Sequence, residues 1–148
     1  MNIVTFPAGR YLIGDLCYRD DEMWDRMISF TKIGTKGTVR NSYEGIECDF
    51  CILPTQHGDG GYQDQFGNEY GVDSGTIGIM SYPQGKQDSS MGRTFEFDGP
   101  FQVYKEGAKL VFGSIIIDTD VLPVSSYVYY DDNGVDYEES DNALEEEF

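Results

Sequence analysis

Three cysteines, one histidine and a scatter of carboxylates are the residue types in this chain that can do chemistry. Cys17, His57 and then Asp59 or Asp73 follow one another as nucleophile, base and orienter, the logic of a cysteine hydrolase. Cys17 also stands three residues ahead of Asp20, a candidate helix N-cap, and a helix N-terminus favours a thiolate. The formal net charge of −17 opposes that thiolate. Cys48-Asp49-Phe50-Cys51 is a Cys-x-x-Cys stretch. With Cys17 and His57 it completes the minimum donor set for a Cys₃His zinc site. Such sites use two paired ligand turns, and the chain has one. Residues three apart on a strand point to opposite faces, so Cys48 and Cys51 are expected to diverge as small buried apolar groups. Asp59, Asp64, Glu69 and Asp73 form the alternative set for a hard cation such as Ca²⁺ or Mg²⁺. In a Gly-rich stretch the same acids stabilise tight turns without a metal. No phosphate-binding glycine loop, dinucleotide fingerprint, nucleophile elbow or His-Glu-x-x-His occurs, so no cofactor is expected.

Charge is the strongest single signal. Residues 131–148 hold nine of the 27 acids and no Lys or Arg. Like charges so crowded repel one another and destabilise a compact state, so stability does not explain them. Blocks of this kind are solvated or face a basic partner. Residues 1–130 are acidic as well, with 18 acids and 10 bases, and no basic patch is evident in the sequence. Direct binding to nucleic acid or to an anionic membrane is not expected, because both need a basic face.

The elements that must position these residues are mostly strands. The chain has 148 residues, 14% of them aromatic and 18 of them Gly, which fits one domain of short strands and tight turns. Residues 1–139 read as a single β-rich domain and 140–148 as an acidic tail. An odd cysteine count and an N-terminus without signal-peptide character lead to a cytoplasmic expectation. Strands are expected at residues 3–6, 11–15, 46–52, 76–80, 94–97, 101–104 and 109–119. Hairpins are expected around Phe66-Gly67-Asn68, Gly107 and Asn133-Gly134. The stretch 83–93 reads as an exposed loop. Met23, Trp24, Met27, Ile28 and Phe30 share one face of a helix over about residues 21–32, with Gly34 as its stop. The fold class is therefore mainly β (α+β): an antiparallel sheet curled into a barrel or two-layer sandwich, with one packed helix.

Three stretches carry a resemblance. Gly14-Asp15-Leu16-Cys17-Tyr18, followed by Gly58-Asp59-Gly60-Gly61-Tyr62 and Val72-Asp73-Ser74-Gly75, resembles a family of small uncharacterised phage and bacterial proteins. Those carry Gly-Asp-Pro-Cys-Tyr near the N-terminus and Val-Asp-Ser-Gly later; Leu16 replaces the usual Pro. The resemblance covers about half the chain and implies a phage-type intracellular protein. It supplies no catalytic residues.

The expected function is binding rather than catalysis. An acidic, phage-type protein can mimic nucleic acid, presenting carboxylates where a duplex presents phosphates, and so inhibit a basic nucleic-acid-binding host protein. The setting would be the host cytoplasm, in counter-defence or host takeover. The residues expected to meet that partner are Asp131, Asp132, Asp136, Tyr137, Glu138, Glu139, Asp141, Glu145, Glu146 and Glu147. Tyr supplies rigid anchors at interfaces. The alternatives are a small hydrolase using Cys17 and His57 or the Asp59, Asp64, Glu69 and Asp73 set, and an acidic domain with no charge-driven partner.

Overall fold

The computed structural model describes residues 2–18, 21–30, 32–40, 45–81 and 88–120. The Asp20 cap, the Asn133-Gly134 hairpin and every acid of residues 131–148 lie outside them. The described chain is mainly β, with antiparallel sheets and one α-helix. No helix among the described residues is long and apolar enough to cross a membrane.

Among the described residues, twelve strands form three sheets. β1 (Val4–Phe6), β10 (Phe101–Glu106), β11 (Lys109–Phe112) and β12 (Ile115–Asp118) make a four-stranded sheet in the order β1-β10-β11-β12. β2 (Gly9–Gly14), β3 (Lys36–Arg40), β4 (Glu47–Pro54), β7 (Thr76–Ser81), β8 (Asp88–Ser89) and β9 (Gly92–Phe97) make a six-stranded sheet, β3-β4-β7-β2-β9-β8. β5 (Gly60–Gln63) and β6 (Glu69–Val72) pair as a separate hairpin. Among the described residues both larger sheets end in edge strands, so neither closes into a barrel.

Two cores explain the layering. Phe6, Tyr11, Ile13, Cys51, Tyr70, Ile79, Val103 and Leu110 belong to one buried cluster to which all three sheets contribute. Leu12, Leu16, Met23, Met27, Cys48, Phe50 and Met80 form a second cluster, between the six-stranded sheet and the helix α1 (Asp21–Phe30). β4 is thus covered on both faces. Its sequence alternates Ile46, Cys48, Phe50 and Ile52 with Glu47, Asp49 and Cys51, the pattern of a half-buried strand, but Cys51 and Leu53 are as buried as Cys48 and Phe50. Strands buried on both faces lose the apolar–polar alternation that marks a solvated face. The alternation of pleat direction survives: Cys48 faces the helix cluster and Cys51 the inter-sheet cluster, so the Cys-x-x-Cys pair does diverge.

Other expectations need correction. The helix ends at Phe30, two residues early. Met23 and Met27, four apart, carry its buried stripe with Trp24 packed alongside, while Ile28 is 46% exposed. The strand expected over 109–119 is two strands, because Gly113 at φ 62° reverses the chain between Phe112 and Ile115. The continuous apolar run on either side hid that turn. The expected loop over 83–93 contains a hairpin: Asp88 pairs with Arg93 and Ser89 with Gly92. Its tip docks on β6, where Gly71 N–H donates to the Ser90 carbonyl at 2.8 Å. β3 was not foreseen, since Lys36-Gly37-Thr38-Val39-Arg40 buries only Val39. Phe66-Gly67-Asn68 does turn the β5–β6 hairpin, with Gly67 at φ 85°.

The outer edge of β12 is partly blocked. The Gln65 side chain accepts from Ile116 N–H at 2.9 Å and donates to the Ser114 carbonyl at 2.5 Å, as a neighbouring strand would. Covering an edge in this way limits unwanted strand pairing.

Candidate functional site

Three of the residues singled out for chemistry, Cys17, Asp59 and Asp73, collect around one buried carboxylate that was not among them. Asp15 follows the last residue of β2 and is 1% exposed. Its two oxygens accept from Asp73 N–H at 2.7 Å, Ser74 N–H at 2.8 Å, the Ser74 hydroxyl at 2.8 Å and Cys17 N–H at 3.1 Å. Ser74 spends its proton on Asp15, so in the 2.6 Å contact with Thr76 the Thr76 hydroxyl donates. The hydroxyl of Tyr18 closes the same loop by donating to Asp73 at 2.7 Å. A third loop joins through Thr55, whose hydroxyl donates to the Gly58 carbonyl at 2.7 Å and whose N–H donates to the Gly75 carbonyl at 3.0 Å. Gly75 sits at φ 74° beside Asp59. The stretches 14–18, 58–59 and 72–75, far apart in sequence, are therefore one knot of polar chain.

Cys17 lies within this knot, half-buried, on the 3₁₀ turn Leu16–Tyr18. Burial, then a hydrogen bond to Asp15, then the charges of Asp15, Asp73 and Asp59 push its thiol up to about 12. Against an ordinary value of 9.0 this leaves roughly a thousandfold less thiolate at neutral pH. The same order of causes, burial first and then the Asp73 hydrogen bond, raises the Tyr18 phenol. His57 is held elsewhere. Its Nε2 lies 3.2 Å from the Asp120 carbonyl and 4.0 Å from the Asp120 carboxylate, at the end of β12. Cys17 thus has carboxylates for neighbours, and the imidazole that a nucleophile needs is engaged with Asp120. Alkylation of the folded protein at pH 8 should be far slower at Cys17 than for a free thiol, and peptide mapping would show it. Labelling at the free-thiol rate would contradict the acidic environment drawn here.

The four candidate cation ligands separate into two pairs. Asp59 and Asp73 flank the open end of the β5–β6 hairpin, and Asp64 and Glu69 lie at its closed end. The four residues of β5 put about 13 Å between the two ends. Asp64, 6% exposed, is a turn organiser. It accepts from Phe66 N–H, Asn68 N–H, the Asn68 side-chain amide and the Tyr70 hydroxyl at 2.8–3.1 Å. Burial pushes its carboxyl up, but these four donors outweigh burial and hold it below 3.8. The Glu69 carbonyl receives the Arg93 guanidinium, which also lies over the Tyr70 ring. Among the described residues no three His, Cys, Asp or Glu side chains gather as metal ligands.

Sequence reasoning missed Asp15, Ser74 and Thr55. The available signal was a charged residue directly following a strand of buried residues, Tyr11-Leu12-Ile13-Gly14, where a carboxylate must find donors. Comparison of the chain with protein-family models, with curated proteins and with solved structures gives no match.

Proposed function

We propose that this protein acts by binding: an acidic, phage-type inhibitor that captures a basic, nucleic-acid-binding host protein by charge mimicry in the host cytoplasm. The observation that carries this reading is the block of nine acids without a base in residues 131–148, on a chain of net charge −17. Carboxylates at that density attract a cationic groove over about a Debye length, 8 Å at physiological salt, and raise its association rate. Tyr127, Tyr129, Tyr130 and Tyr137 lie among or beside the acids and offer contact area at low entropic cost. The body adds acids of the same sign and a β framework tied by the Asp15 knot. In an antiparallel two-sheet arrangement of this kind, a sandwich is the finer description that the shared inter-sheet core supports.

The test is capture from host lysate at low salt, elution by a salt gradient and identification by mass spectrometry. A basic protein should elute as salt rises. A variant with Glu138, Glu139, Glu145, Glu146 and Glu147 all changed to Gln should stay folded by circular dichroism and bind that protein at least about tenfold more weakly. Undiminished binding by the variant, or an empty eluate from the folded wild type, would refute the reading.

A further inference from the structure

The fold gathers four bases at one edge, beside Glu22, Glu47 and Asp49. Residues 26–43 carry Arg26, Lys32, Lys36 and Arg40 and no acid. Among the described residues β3 is an edge strand paired only with β4, and it displays Lys36, Thr38 and Arg40 on one face, all exposed. Arg26 reaches across from α1 to donate to the Arg40 carbonyl at 3.2 Å. Lys36 donates to the Thr5 carbonyl at 3.2 Å, and Asn2 donates to the Gly34 carbonyl at 2.9 Å. These bonds zip the start of the chain to residues 34–36. Ile3 and Ile33, each next in sequence to one end of the Asn2–Gly34 bond, are 49% and 48% exposed. The patch is thus cationic with an apolar fringe.

We propose that this α1–β3 edge is a docking surface for the acidic C-terminal residues 131–148 of the same chain. Charge complementarity is the first argument: four bases meet a segment of nine acids and no bases. The present partners of those bases are weak competitors. Arg26 pairs with Glu22 at 3.2 Å and Lys36 with Asp49 at 3.8 Å, both at the surface, and Glu47 stands opposite Arg40 in the β3–β4 register. Exposed pairs of this kind contribute at most about 1 kcal/mol. Lys32 has no ion-pair partner among the described residues. Composition is the second argument. Leu144 and Phe148 flank Glu145, Glu146 and Glu147, an acidic segment with apolar ends to match Ile3 and Ile33. Reach is the third. Residues 121–130 span up to about 33 Å when extended, close to the diameter of a domain of this size. The other exposed lysine among the described residues is disfavoured, because Lys109 shares its shallow groove with Glu106, Asp118 and Asp120. A basic partner would then have to displace the tail from its own body. The docking itself needs no partner, so it goes beyond the proposed function and can be tested apart from it.

Zero-length carbodiimide crosslinking of the purified full-length protein, dilute and in low salt, tests this by peptide mass spectrometry. The Lys36–Asp49 pair at 3.8 Å is the internal control. The expected result is amide links from Glu138, Glu139, Glu145, Glu146 or Glu147 to Lys32 and Lys36 within the monomer. They should be lost in 1 M salt, where the Debye length is about 3 Å. Tail links that concentrate on Lys109, spread over the lysines by exposure, occur only between chains, or fail to form while the control does would each overturn the proposal. In the five-fold Glu→Gln variant the backbone amides of β3 should exchange faster than in the wild type; unchanged exchange also overturns it. An empty lysate capture bears on the partner alone and leaves these crosslinks readable.

Discussion

Asp15→Ala is expected to destabilise the protein by about 3–5 kcal/mol, the largest effect of any side-chain truncation near the candidate site. The carboxylate is 1% exposed and binds four donors, three of them backbone N–H groups: those of Asp73 and Ser74 at 2.7 and 2.8 Å and that of Cys17 at 3.1 Å. Alanine removes the acceptor and strands those donors in a place water reaches poorly. The cost is then the desolvation of the groups left behind, which exceeds the net value of the bonds. Ser74→Ala provides the contrast. It deletes one hydroxyl donor and leaves all three N–H groups bonded to Asp15, so it should cost about 1 kcal/mol. Asp15→Asn keeps an acceptor oxygen but turns an amide against N–H donors, and should fall between the two. Urea denaturation of the three variants measures the order. A loss below about 1 kcal/mol for Asp15→Ala would show that the knot does not hold the three loops together.

Gly78→Ala is expected to cost about 2–4 kcal/mol, although it adds a single methyl group. A Cβ at this position would lie 2.8 Å from Leu16 Cδ1 and 2.9 Å from the Cys51 carbonyl oxygen. Leu16 is 1% exposed and seated over the strand by the same turn that carries Asp15 and Cys17. The Cys51 oxygen belongs to β4, whose ladder with β7 pairs Cys51 with Ile79, so it cannot retreat without breaking central pairing. A double-mutant cycle separates the two clashes. Leu16→Ala alone removes a buried side chain and should cost about 2–5 kcal/mol. Combined with Gly78→Ala it should cost about 1 kcal/mol less than the sum, because the Leu16 contact is then relieved and the Cys51 contact is not. Strict additivity would mean that Leu16 does not press on Gly78.

These expectations place the local framework and the partner surface in different parts of the chain. The Asp15 knot and Gly78 hold the motif-bearing loops in shape. On the proposed reading, the acidic residues 131–148 carry the charge a partner would meet, and the α1–β3 edge is where they dock in its absence. Substitutions in the first group should therefore lower stability, and substitutions in the second should alter binding or crosslinking with the fold intact.

Local pattern was enough for much of the architecture. The period of Met23 and Met27 marked the helix, Gly67 marked the β5–β6 turn, and the two-residue alternation told Cys48 and Cys51 apart by face. Each depends only on residues a few positions away, which is where backbone geometry acts. The failures share the opposite property. β3 has little apolar character of its own and becomes a strand by pairing with β4. β4 lost its expected solvated face because a helix covers one side and a second sheet the other. Asp15 finds its donors 58 and 59 residues away, and His57 finds Asp120 63 residues away. Arg26 and Arg40 become neighbours across two elements. Charge, the helix and most strands are legible in the chain, because composition and short-range periodicity encode them. Which carboxylates share a knot, what holds the single histidine and where the cations gather emerge on folding. Hydrogen bonds and screened charges act over a few ångströms of space, whatever their separation along the chain.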